Sequence, residues 1–363
     1  MDAPAVDAIA RLVPAVLKAL YALEFAGRHL GPQTLPRLIE AMAERPNDLG
    51  PALAQSRALA WPERLQPARN CLERAADEAN QSLSALLSAT EAEQPIRAAY
   101  GALRGYARAC ESLYPMAPHL RPVSQFFLEA SAREDMARLD RLAAIDPLKP
   151  DVGAMHVGGP VGTRGAFSLY VPESYGPTRA WPLVVAMHGG SGNGGAFLWS
   201  WLREARTRDF ILLAPTAAGS TWSLLEPDVD GDNIDRMVTE VAGRWSIDPA
   251  RTLLTGMSDG GTFTYVLGLR AGCRFTHLAP IAAVFHPMIM MTMASADRVR
   301  GLPVHIIHGA QDWMFSAEIA RSAEQTLRQA GANVVYREIA DLSHTYPRDE
   351  NGRILDWFLE HRP

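Results

Sequence analysis

From Phe167 to Glu360 the chain alternates short apolar runs with amphipathic stretches, and few architectures tolerate that rhythm. Phe167–Val171, Leu183–His188, Phe210–Pro215, Thr252–Gly256, Leu278–Val284, Val304–His308 and Val334–Ile339 read as strands. Several of these are continuously apolar, as strands covered on both faces must be. Between and after them, Ala196–Thr207, Asn233–Trp245, Thr262–Leu269, Ala317–Ala330 and Ile354–Glu360 carry helical spacing. Strand followed by helix, repeated, predicts a mostly parallel sheet with helices on both faces. In such sheets, ligands meet the protein outside the carboxyl ends of the strands.

The first 145 or so residues obey a different rhythm. Leu12, Val16, Leu20 and Leu23 recur every three or four positions, as do Leu72, Ala75, Ala79 and Leu83. Prolines punctuate the segment where helices would start and stop. The stretch Asp146–Gly153, with Pro147, Pro150 and Gly153, reads as a linker. The expectation is therefore an all-helical domain over 1–148 and an α/β domain over 149–363.

Composition narrows the classes further. A net charge of −5 argues against a nucleic-acid-coating protein. Three scattered cysteines, Cys71, Cys110 and Cys273, make neither a disulfide framework nor a zinc motif. The opening stretch, with Asp2, Asp7, Arg11 and Lys18, reads as an amphipathic helix and not as a signal peptide. No apolar run has membrane-spanning length. A soluble, cytoplasmic protein without a membrane partner is the expectation.

The sharpest local signal is Gly256-Met257-Ser258-Asp259-Gly260-Gly261, between a buried-strand pattern and a helix. A serine on such a strand-to-helix turn stands exposed beside free helix N-terminal amides, and small neighbours let the elements close up. Serine needs a base, and the base needs an orienting acid. Asp312, after Val304–His308, and His344, after Val334–Ile339, supply both in the order Ser, Asp, His. Asp341 is too close along the chain to reach the His344 ring from behind. Asp259 is expected to cap its helix, and His277, His286, His305 and His308 to serve structure or the pocket.

A second glycine-rich loop, His188-Gly-Gly-Ser-Gly-Asn-Gly-Gly195, also follows a strand. The amides of Gly190 and Asp259 are candidates for an oxyanion hole. A phosphate loop is the rival reading, but its G-x-x-x-x-G-K-[ST] pattern is absent. Lys18 and Lys149 are the chain's two lysines, and neither lies near. Gly190-Ser-Gly192-Asn-Gly-Gly195 has dinucleotide-loop spacing, yet the Ser258–Asp312–His344 set competes for the same architecture.

Together, His188-Gly-Gly, the Ser258 motif, Asp312, Asp341-Leu-Ser-His344-Thr-Tyr-Pro and Leu169-Tyr-Val-Pro-Glu-Ser-Tyr175 resemble the α/β-hydrolase esterases. The likeness is to their phospholipase/carboxylesterase and polyhydroxybutyrate-depolymerase/feruloyl-esterase-like branch, over roughly residues 155–363. It implies an α/β-hydrolase fold and hydrolysis of small-molecule carboxylic esters through an acyl-serine, with no cofactor and no metal. A thioesterase or serine peptidase would use the same triad, and a non-catalytic interaction protein could reuse the scaffold. His188, Gly189, Met257, Trp222 and Trp313 are candidates for the pocket, with Trp199, Trp201, Phe315 and the methionines at 288, 290, 291 and 293 as further apolar walls. Residues 1–148 have no counterpart in that family and are expected to act as a lid or a homo-oligomer interface.

Overall fold

The computed structural model describes residues 3–44, 47–224, 228–286, 289 and 296–360. Two compact units divide the chain, Met1–Leu148 and Lys149–Pro363.

The first unit is helical. Its long elements are α1 (Ala3–His29) and α4 (Gln66–Leu87), joined by α2 (Leu35–Ala43) and α3 (Leu49–Ala58) and followed by α5 (Pro95–Ala102), α6 (Gly105–Leu113), α7 (Arg121–Phe126) and α8 (Met136–Ala143). Leu12, Val16, Leu20 and Leu23 form one buried stripe on α1, as the three-and-four spacing requires. On α4 the buried stripe mixes leucines with the small residues Ala75, Ala76, Ala79 and Ser82, so neighbouring backbones can come close. Gly105 is the extreme case, because a Cβ there would lie 2.8 Å from the Ser82 Cβ. The Ser82 hydroxyl donates to the Ala102 carbonyl at 2.6 Å across the same crossing. No described helix is long and apolar enough to cross a membrane.

The second unit is an eight-stranded sheet in the order β1-β2-β4-β3-β5-β6-β7-β8. Its strands are β1 (Gly153–Val157), β2 (Phe167–Val171), β3 (Trp181–Met187), β4 (Ile211–Pro215), β5 (Ile247–Met257), β6 (His277–Ile281), β7 (Pro303–Gly309) and β8 (Asn333–Ile339). β1 and β2 run antiparallel, and every pairing from β4 through β8 is parallel. Every residue of β2, β3, β4, β6 and β7 is buried, which is why these strands are so uniformly apolar. Helices α9 (Gly194–Leu198), α10 (Leu202–Arg208), α11 (Val229–Arg244) and α12 (Asp259–Gly268), then Ala317–Gln329 and Asn351–Glu360, fill the connections. This is the α/β-hydrolase fold, preceded by a helical unit.

Several boundaries differ from the sequence reading. Ala196–Thr207 is not one helix, because Trp199 and Trp201 are buried in a turn that separates α9 from α10. β1 begins at Gly153, where the sequence reads as linker, and pairs residue for residue with β2. β6 ends at Ile281 and not at Val284, because Val284 donates instead to the Thr262 hydroxyl on α12. Met288, Met290, Met291 and Met293 lie outside the described residues.

The strand order reverses at β3. From β3 the chain moves outward to β4, then returns across β3 to β5. The carboxyl ends of β3 and β5 therefore open onto a crevice, the place where an open α/β sheet receives ligands.

Candidate active site

The loops after β3, β5, β7 and β8 carry His188–Gly195, Ser258, Asp312 and His344. Ser258 occupies the turn between β5 and α12 with φ 56° and ψ −119°. A non-glycine residue in that region costs on the order of 1–3 kcal/mol, so its surroundings must hold it there. Its amide donates to the Ile281 carbonyl at 2.9 Å, and its carbonyl accepts from the Thr262 amide at 2.8 Å. Glycine at 256 and 260 makes the turn possible. A Cβ on Gly256 would sit 2.5 Å from the Gly260 carbonyl oxygen, and one on Gly260 would sit 2.5 Å from those of Met187 and His188.

His344 Nε2 accepts from the Ser258 hydroxyl at 3.0 Å. Its Nδ1 donates to Asp312 Oδ2 at 2.7 Å, which fixes the tautomer, since a carboxylate can only accept. The other Asp312 oxygen accepts from the amides of Met314 (2.9 Å) and Phe315 (2.8 Å). The Asp312 side chain is fully buried. Burial pushes its carboxyl up, but the hydrogen bond and charge of His344, with the Phe315 and Met314 amides, overcome this and leave it below its usual value. Asp341, by contrast, is exposed.

The loop after β3 lies against the serine, with a Cβ on Gly189 placed 3.5 Å from the Ser258 Cβ. Asp259 opens α12, so its amide is one of those left without an intrahelical acceptor. Neither it nor the Gly190 amide has an acceptor among the described residues. Asp259 directly follows the serine, and a Cβ on Gly190 would meet the Asp259 carboxylate at 2.6 Å, so the segments carrying the two donors adjoin there.

Three expectations need correction. The Asp259 carboxylate does not cap α12; it accepts from the Thr221 hydroxyl, beside Gly190. Trp222 does not line a pocket, because it is buried between His188 and Phe263, stacked on the latter at 5.5 Å. Its indole N–H donates to the His188 carbonyl at 2.7 Å, so it braces the glycine loop from inside. His188 is likewise structural. Its Nδ1 donates to the Gly189 carbonyl at 2.7 Å and its Nε2 accepts from the Ala217 amide at 3.1 Å. Burial drops its pKa to about 4, so the ring stays neutral. Gly189 and Met257 are half-buried beside the serine, and Trp313 is 47% exposed next to Asp312.

Sequence reasoning missed the segment that supports the glycine loop. Ser220 accepts from the Ser191 amide at 2.9 Å, and buried Asp230 accepts from the amides of Ala218 (2.8 Å) and Ser223 (2.7 Å). These pairs join separate segments and follow no local pattern, and the burial of Asp230 at the start of α11 appears only in the fold. Among the described residues, no group of three or more His, Cys, Asp or Glu side chains could hold a metal ion.

No family model matches the chain. A curated bifunctional acetylxylan esterase/xylanase from Neocallimastix patriciarum is 24% identical over 188 residues, which is 50% of this chain and 26% of that protein. The chain thus spans about a quarter of the relative's length. Among solved structures, a thermostable esterase aligns at TM-score 0.48 and 21% identity, over 58% of this chain and 63% of the other. An S-formylglutathione hydrolase from Agrobacterium tumefaciens aligns at TM-score 0.48 and 14% identity, over 58% of this chain and 95% of the other.

Proposed function

We propose that this protein is a serine carboxylesterase, hydrolysing short or medium acyl, or aromatic, carboxylic esters through an acyl-serine. The observation that carries the reading is the unbroken hydrogen-bond line from Ser258 through His344 to Asp312, at 3.0 and 2.7 Å.

The chemistry follows from that line. The Ser258 oxygen attacks the ester carbonyl carbon as its proton passes to His344 Nε2. Asp312 holds the ring in the Nδ1–H tautomer and stabilises the imidazolium that forms. The carbonyl oxygen, now an oxyanion, takes hydrogen bonds from the Gly190 and Asp259 amides. His344 then returns its proton to the departing alcohol, leaving an acyl-serine. In the second half, water loses a proton to His344 Nε2 and attacks the acyl carbon, and Ser258 leaves reprotonated with release of the acid.

Support for a small acyl group comes from the relative's printed activity on acetylxylan. Support for an apolar partner comes from Trp313 and Met314, 47% and 49% exposed beside the acid. The test is hydrolysis of p-nitrophenyl esters of increasing chain length and of aromatic acyl esters, in wild type and Ser258→Ala. The reading predicts turnover favouring the shorter or aromatic esters, abolished in the variant. Undiminished turnover in Ser258→Ala would refute it.

A further inference from the structure

Behind Asp312 lies a second imidazole that the reaction scheme leaves unused. His308, near the end of β7, is completely buried. Its Nε2 donates to the Phe315 carbonyl at 2.9 Å and also lies 3.5 Å from Asp312 Oδ2, the oxygen that accepts the hydrogen bond from His344 Nδ1. Because the Phe315 carbonyl can only accept, the proton of neutral His308 is on Nε2. Nδ1 is buried with no hydrogen-bond partner.

We infer that His308 is a positioning residue of the acid, acting through the Asp312–Phe315 turn; this rests on the esterase reading of the same site. The turn closes on itself twice. Asp312 Oδ1 accepts from the amides of Met314 and Phe315, and the Phe315 carbonyl is then tied back to β7 by His308. That leaves Oδ2 aimed at His344, with the Phe315 ring standing edge-on to the His344 ring at 5.1 Å and 89°. One N–H therefore sets the acid's direction, the place of the ring against the base, and part of the field at Oδ2.

The charged surroundings of His308 are few. Asp312 belongs to its own loop and His344 reaches it through that acid. On β8, Glu338 is its register partner and is already engaged by Arg321 and by the Tyr336 hydroxyl. An unpartnered buried Nδ1 is a cost that apolar packing alone would avoid, and the bond of the opposite nitrogen to the Phe315 carbonyl offsets it.

The test compares His308→Gln, His308→Asn and His308→Leu by the rate of fluorophosphonate labelling at Ser258 as a function of pH. A glutamine amide nitrogen reaches the Nε2 position, the shorter asparagine does not, and leucine removes the donor while keeping apolar volume. Gln is expected to label within about threefold of wild type, while Asn and Leu slow by about tenfold or more. In Asn and Leu the acidic limb should also move up by about half a pH unit, because the polar N–H 3.5 Å from Oδ2 is gone and the less opposed carboxylate favours the imidazolium more. If Leu does not fold, the contrast between Gln and Asn still decides. Wild-type rates and limbs in all three, or Asn matching Gln, would overturn the proposal. Absence of labelling in wild type would instead overturn the esterase reading beneath it.

Discussion

Gly309 lies so close beneath Leu342 that a Cβ on the glycine would fall 2.3 Å from the Leu342 carbonyl oxygen. This approach joins the loops after β7 and β8. The Gln311 amide donates to the same carbonyl at 2.9 Å, and the Ala310 amide to that of Ile339 at 2.9 Å. This close backbone approach, which a side chain at 309 would obstruct, helps bring together Asp312 and His344, 32 positions apart in the chain.

Gly309→Ala should therefore push the two loops apart. We expect a loss of about 1–3 kcal/mol in stability from the overlap. Turnover should fall further than stability does, because the Asp312–His344 bond is broken in molecules that remain folded. Thermal melting read beside esterase activity checks this, and a variant that melts early with full activity per folded molecule contradicts it.

The identity of the acid can be tested by exchange. Asp312→Asn should lower kcat by roughly 10³–10⁴, since the amide cannot hold His344 in the required tautomer. Asp341→Asn, at an exposed position, should remain close to wild type. A larger loss in the second variant would reassign the role.

The Thr221 hydroxyl holds the Asp259 carboxylate beside Gly190. Removing it in Thr221→Val leaves that carboxylate free to move against the glycine loop. The expected result is a fall of about tenfold in kcat with KM little changed, the signature of an interaction realised in the transition state. Steady-state kinetics on a single ester suffices, and an altered KM at unchanged kcat would count against it.

Acid should destabilise the fold through two histidines. Burial lowers both His188 and His305 to about 4, from an ordinary value of 6.5. A depressed histidine pKa means that the unfolded chain binds the proton first. The stability they contribute is thus complete above about pH 6.5 and is lost as pH falls towards 4. Each could contribute up to roughly 3 kcal/mol across that window. Denaturant melts from pH 7 to 4 should show the decline, and His305→Leu should flatten part of it; an unchanged slope would contradict the assignment.

Much of this was legible in sequence, for physical reasons. Strands buried on both faces must be uniformly apolar, which is why β3, β4 and β7 stood out. Ser258 was legible because its strained turn demands glycine at 256 and 260. Asp312 and His344 followed from chain order at strand ends. What was hidden depends on contacts between distant segments. Trp222 looked like a pocket wall because it follows a loop at the catalytic edge. Only the fold places its ring between His188 and Phe263, and only the fold brings Thr221 to Asp259. The bend between α9 and α10 was hidden too, since the tryptophans buried in it also fit a helical face.

The central claim is that Ser258 is a nucleophile activated by His344. The most direct measurement is mass spectrometry of the intact and digested protein after treatment with a fluorophosphonate. The account predicts one adduct, on the peptide containing Ser258, formed quickly in wild type and strongly slowed in His344→Ala. No adduct, or an adduct elsewhere that survives in Ser258→Ala, would contradict it.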